Sequence, residues 1–359
     1  MVEPAHFRRL PLTAQTAYSD LLARLQEDAV LELGGTPVLR ERGGRQYWYS
    51  VQRFADRTVE RYLGPDTREI RDRVERAQKV NEDLRQREKQ RGRLARMCRE
   101  GGLPRVDAQT GKVLLALAKA GIFRLRGVIV GTHAFRCYPG ILGVEIPEAQ
   151  AATEDIDVAA FHSVAVALDD RLDPALADAL KRIGPFIARP GLHEQPTAWR
   201  DHESGVLVEL LTPNEGPERD EPVELPALGA YALPLRFLDY LIHQPTQAAA
   251  LYRSGVLVNV PQPARYAIHK LIVAVRRASS ATAKARKDIE QSAALIRVLA
   301  EDRPDELEEA LVEARGRGKS WREAVDKGAR RLPTDAGIAL RKTIRRKAAR
   351  RTTRPARMS

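Results

Sequence analysis

Glu154-Asp155-Ile156-Asp157-Val158 decides how this chain reads, with Val128-Ile129-Val130-Gly131-Thr132 upstream and Val206-Leu207-Val208-Glu209-Leu210 downstream. Side chains two apart on a strand share a face, so Asp155 and Asp157 project together while Ile156 and Val158 turn to the opposite, buried side. Glu209 interrupts an otherwise apolar run, where an unpaired carboxylate is costly to desolvate. A divalent cation removes that cost. Mg²⁺ suits carboxylate oxygens best, because it keeps several waters and is commonly completed by substrate phosphates.

An apolar strand ending in Gly131-Thr132, then Asp155-x-Asp157, then an acid on a neighbouring strand at Glu209, resembles the nucleotidyltransferase superfamily that includes DNA polymerase beta and minimal bacterial nucleotidyltransferases. The chain is most similar to a bacterial branch of stand-alone nucleotidyltransferase-fold proteins carrying Gly-Thr-His-Ala-Phe, here Gly131 to Phe135, and the likeness covers roughly residues 104 to 300. Two features depart from the pattern. Thr132 stands where Ser or Gly is usual, and about two dozen residues separate Gly131 from Asp155, so Tyr138 to Thr153 reads as an insertion over the site.

The resemblance implies an α+β fold: a mixed nucleotidyltransferase-like sheet with flanking helices. It implies Asp155, Asp157 and Glu209 as catalytic and metal-ligating residues holding two Mg²⁺ (or Mn²⁺) ions, the second lowering the acceptor hydroxyl's pKa. Glu209 as ligand or as general base is left open. Gly131 and Thr132 are the implied triphosphate turn, since a turn opening a helix presents free N–H donors. Lys270 is the cation implied to approach the triphosphate, with Lys287 a weaker candidate. A lysine snorkelling at a core boundary is the competing reading of Lys270. The implied reaction moves a nucleoside monophosphate from an NTP to an acceptor hydroxyl with release of pyrophosphate. The alternative is a nucleic-acid-binding protein that keeps the scaffold without turnover.

Around this centre the chain divides into a helix and small β-meander (1–65), a charged helical linker (66–103), the core (104–235), a mostly helical region (236–330) and a basic, disordered tail (331–359). Leu21, Leu22, Leu25 and Val30 give residues 13–33 helical spacing up to Gly34-Gly35. Residues 38–40, 46–52 and 58–63 read as three short strands with Gly43-Gly44 as a turn. Tyr47 and Tyr49 among Arg40, Arg42, Arg45, Arg53 and Arg57 serve either to stack bases or to give a three-stranded sheet its core. Residues 66–100 read as one long charged helix, and Ala264, Ala267, Ile268, Leu271, Ile272 and Val275 as the apolar stripe of another.

The chain of 359 residues carries a formal net charge of +12 and 43% hydrophobic residues, ordinary for a folded protein. Residues 341–359 hold nine Lys or Arg and no acid, and read either as a nucleic-acid contact or as a solvated tail. That basic block tilts the acceptor toward RNA over a protein side chain or a small molecule. Cys98 and Cys137 are the only cysteines and fit no zinc spacing, and the seven histidines are scattered. His133, beside the turn, reads as a local hydrogen-bonding group. A reducing cytoplasm is the expected location, with no membrane span and no signal peptide.

Overall fold

Strand β8 (Leu207–Pro213) is the middle of the molecule, because its run of Val208, Leu210 and Leu211 is buried and both its edges are paired. The computed structural model describes residues 7–31, 36–42, 45–54, 57–147, 155–162, 172, 174–191 and 193–352.

In chain order the elements are α1 (Leu12–Leu31), β1 (Thr36–Arg42), β2 (Arg45–Phe54), β3 (Arg57–Pro65), α2 (Arg68–Glu100) and α3 (Ala108–Ala120). Then come β4 (Val128–Ile129), α4 (Gly131–Phe135), α5 (Tyr138–Leu142), β5 (Asp155–Ala159), α6 (Leu176–Lys181), β6 (Phe186–Ala188), β7 (Ala198–Asp201) and β8. After it follow β9 (Val223–Leu225), β10 (Ala230–Leu235), α7 (Leu238–Leu241), β11 (Thr246–Ala250) and β12 (Val256–Val260). Five helices close the order: α8 (Pro263–Arg276), α9 (Thr282–Asp302), α10 (Pro304–Gly316), α11 (Lys319–Ala329) and α12 (Thr334–Thr352).

The fold is α+β, as the sequence predicts, with an open mixed sheet and flanking helices. Seven strands share that sheet. One edge of β8 carries β5 in parallel, and β4 pairs antiparallel to β5 beyond it. The other edge carries antiparallel β7 along its first half and parallel β10 along its end, with β6 and β9 outside them. Ile156, Val158, Val208, Leu210, Trp199 and Phe186 alternate onto one face and are buried, so the other face is left for Asp155, Asp157 and Glu209.

Helix α3 begins where the Asp107 side chain accepts from Thr110 N–H (2.9 Å) and ends at left-handed Gly121. The predicted apolar strand ending at the Gly131 turn is short, confined to β4, and cannot reach back past Arg126, whose positive φ of 60° no strand accommodates. Residues 236–330 hold the predicted helices and also the β11–β12 hairpin. Helix α1 packs on this hairpin, with Ala249 N–H donating to the Tyr18 hydroxyl (3.1 Å). The three-stranded β1–β2–β3 sheet forms as predicted, and Trp48 Nε1 donates to Asp66 (2.8 Å); Gly43-Gly44 lie outside the described residues. Helix α8 is buried on nearly every side, so Tyr266 and His269, outside the predicted apolar stripe, are interior residues as well. Its neighbours α9, α10 and α11 account for that. The segment predicted as a tail from 331 is helical from Thr334 to Thr352, with Ala336, Leu340 and Thr343 buried; residues 353–359 lie outside the described residues.

Candidate functional site

The parallel register sets Asp155 opposite Leu207 and Asp157 opposite Glu209. Register partners point to one face, so Asp157 and Glu209 stand side by side about 5 Å apart at the backbone, with Asp155 two residues along the same strand face. Three like charges are thereby crowded. Burial, then Glu209 and Asp155, push the Asp157 carboxyl up to about 6. Burial, then Asp155, raises Glu209. Both shifts say that burial and the crowding of like charges outweigh the positive charge nearby.

Gly131 closes the other side. Its φ is +65°, and a Cβ there would lie 2.6 Å from Asp157 Oδ2, so only glycine lets the turn approach the carboxylate. Val130 N–H donates to the Asp157 carbonyl (2.9 Å), which ties the turn to the strand. The Tyr266 hydroxyl, from buried α8, reaches the Gly131 carbonyl at 2.9 Å and Gln291 Oε1 at 3.0 Å. Its ring stacks on Phe135 and meets Tyr138 edge-on. Thr132 is half-buried next in the turn.

Lys270 does not stand free. Its ammonium lies 2.6 Å from Asp288 Oδ1 while Arg277 Nε lies 2.5 Å from Oδ2, and Asp288 is only 2% exposed. Burial lowers the Lys270 pKa and Asp288 supports its charge. From that position it still draws the Asp157 pKa down. A cation not singled out in the sequence, exposed Lys284 in the first turn of α9, lowers both Asp157 and Glu209. Lys287, one turn further, bears instead on His133. Arg189, following β6, lowers Glu209 from the other side. Lysine spacing marks Lys284 (i−3 from Lys287), whereas Arg189 is placed only by the β6–β7 ladder.

His133 is buried and burial lowers it to about 4, so it is neutral at pH 7. Its Nε2 has no hydrogen-bond partner among the described residues, so the local hydrogen-bonding role predicted for it is not found at that nitrogen. Both cysteines are buried and free. Among the described residues no group of three His, Cys, Asp or Glu side chains is arranged to hold a metal ion, and no helix is long and apolar enough to cross a membrane.

Residues 13–72, from α1 to the start of α2, match a domain of unknown function (DUF6788). No curated protein and no solved structure matches the chain. Residues 108–316, more than half of the chain and the part that contains the Gly131 turn, all three strand acids and the α8–α9 pair, match the family described as Nucleotidyltransferase, and the chain belongs to that family.

Proposed function

We propose that this protein is a metal-dependent enzyme that transfers a nucleoside monophosphate from an NTP to an acceptor hydroxyl, with Asp155, Asp157 and Glu209 as its working acids. The pairing of Asp157 with Glu209 on adjacent strands, against a glycine turn that no side chain could enter, carries this reading. The donor set is all carboxylate, which suits Mg²⁺ or Mn²⁺ over softer ions. The raised Asp157 and Glu209 carboxyls are those a cation would relieve. Asp157 and Glu209, paired across β5 and β8, would hold the metal with substrate phosphates and water completing its shell, and Asp155, at the exposed start of β5 and not gathered with them into a three-ligand cluster, would join only by turning its side chain toward it. Bound there, Mg²⁺ supplies charge neutralisation for the triphosphate and acidifies the acceptor hydroxyl.

The chain's own groups do the rest. The Gly131–Thr132 turn and Lys284 position the triphosphate, while Lys270, held by Asp288, adds positive field without leaving its partner. The acceptor oxygen bonds to the α-phosphorus as its proton passes to Glu209 or to solvent. The α–β bridging P–O bond breaks, and pyrophosphate leaves with that electron pair. Little covalent work falls to the protein, so placement and electrostatics account for the rate.

The test is transfer of label from each α-³²P-labelled NTP to RNA, protein and small hydroxyl acceptors, with Mg²⁺ or Mn²⁺. Label that disappears in Asp155→Asn/Asp157→Asn supports the reading. An unlabelled result in every lane, from protein that Mg²⁺ plus NTP fails to stabilise, would overturn it in favour of a binding scaffold.

A further inference from the structure

Beyond Glu209 the sheet continues through two more strands, and the register fixes what lies there. Glu209 on β8 pairs with Ala198 on β7. The β6–β7 ladder runs Phe186 with Asp201, Ile187 with Arg200 and Ala188 with Trp199, and its next rung joins Arg189 N–H to the Ala198 carbonyl at 2.8 Å. Partners share a face, so Asp157, Glu209, Ala198 and Arg189 form one row across four strands. At about 4.8 Å per strand, Arg189 lies roughly 10 Å from Glu209 at the backbone, with only a methyl group between them. An arginine side chain spans that gap. The row two residues below on the same face reads Asp155, Leu207, Arg200 and Ile187.

The paired residues of the hairpin therefore present, on the reactive face, two guanidiniums, one isoleucine and the Ala198 methyl group, and none of them is an acid. Arg189 is exposed, and its guanidinium has no hydrogen bond or ion pair with the described residues. Arg200 is exposed and spends one N–H on the Gly205 carbonyl (3.1 Å). Ile187 is 50% exposed, one of the few large apolar side chains left in solvent among the described residues. Exposed guanidiniums are forks for phosphate oxygens, and an exposed apolar side chain beside them offers a surface to a base or sugar. A neutral hydroxyl acceptor has no use for a cation beside the proton-accepting acid. A chain of phosphodiesters does, since the three carboxylates would otherwise repel it.

We propose that the β6–β7 hairpin is the acceptor ledge, holding the 3′ end of a single-stranded polynucleotide with Arg189 on the phosphate behind the reacting nucleotide and Ile187 against its base or sugar. This rests on the nucleotidyl-transfer reading and adds the acceptor's chemical class to it. Arg189 is a binding residue for the acceptor, and Lys284 and the Gly131 turn serve the NTP on the opposite side of Glu209.

The experiment uses the full chain and a 5′-fluorescein octamer, as RNA and as DNA, in two assays: anisotropy without NTP, and transfer from labelled NTP with KM measured for octamer and NTP separately. Arg189→Ala should weaken octamer binding about tenfold and flatten the log–log salt slope by about 0.7, one single-strand phosphate contact. It should raise the octamer KM to match and leave the NTP KM unchanged. Arg189→Lys should recover most of the loss, and the RNA and DNA arms identify which strand is held. Wild-type affinity and slope in Arg189→Ala would overturn the ledge. So would an equal rise in NTP KM, or wild-type transfer confined to protein or small molecules. Octamer binding that falls in Arg189→Ala, with no transfer in any lane, keeps the ledge and overturns the transfer reading alone.

Discussion

Replacing Asp157 with Asn should make the ligand-free protein more stable, because the native carboxylate is held in a place that opposes its charge. Asp157 is pushed from an ordinary value of 3.8 to about 6, first by burial and then by Glu209 and Asp155, and that figure already includes the relief from Lys270 and Lys284. Two units at 1.36 kcal/mol each amount to about 3 kcal/mol. The folded protein holds the proton more tightly than the unfolded chain does, so stability falls as pH rises from about 4 to 6 and stays lower above. The gain of Asp157→Asn should therefore be near zero at pH 4, grow through pH 6, and level off at about 3 kcal/mol by pH 8. At about 2.1 cal/mol/K per residue, this raises Tm by about 4–7 °C, for a cooperative unit between the whole chain and its family domain. Thermal unfolding from pH 4 to 8 in EDTA measures it. Mg²⁺ plus NTP should reverse the order: wild type gains about 4.1 kcal/mol at a thousand times Kd, and the variant gains little. A variant no more stable than wild type at pH 8, or one with a pH-independent gain, would refute the reasoning.

Three further outcomes follow from the same geometry. Gly131→Ala puts a methyl group 2.6 Å from Asp157 Oδ2 at a φ of +65°; transfer should fall at least tenfold, and unfolding should show a loss of about 1–2 kcal/mol from the left-handed backbone alone. Asp288→Ala strands Lys270 and Arg277 without their shared carboxylate, at a cost of about 3–5 kcal/mol in denaturant unfolding, part of which Asp288→Ala/Lys270→Met should restore. Lys284→Ala removes an exposed charge, so stability should stay within about 0.5 kcal/mol while the NTP KM rises about tenfold, as steady-state kinetics would read.

The local parts of the site are legible in the sequence. Alternation along 155–158 assigns the carboxylates to one face by local geometry that needs no tertiary information. Illegible are the parts set by pairing at a distance. The parallel match of β5 to β8 joins residues some fifty positions apart, and nothing local says that Asp157 meets Glu209 and not Leu207. Lys270 reads as a phosphate ligand because its partner Asp288 lies on the next helix, where α8–α9 packing alone brings it in reach. Tyr266 looks marginal on α8 until α9 to α11 cover the helix and its hydroxyl finds Gly131. The segment from 331 reads as a basic, disordered tail, yet Ala336, Leu340 and Thr343 give α12 a buried side.

The central claim is that the acids of β5 and β8 transfer nucleotides, and label transfer from α-³²P-NTP in the presence of Mg²⁺ or Mn²⁺ tests it most directly. Wild type should label an acceptor, release pyrophosphate in equal amount and lose both in Asp155→Asn/Asp157→Asn, with the variant still folded. Transfer that persists in the folded variant, or wild type that neither labels any acceptor nor gains stability from Mg²⁺ and NTP, would contradict it.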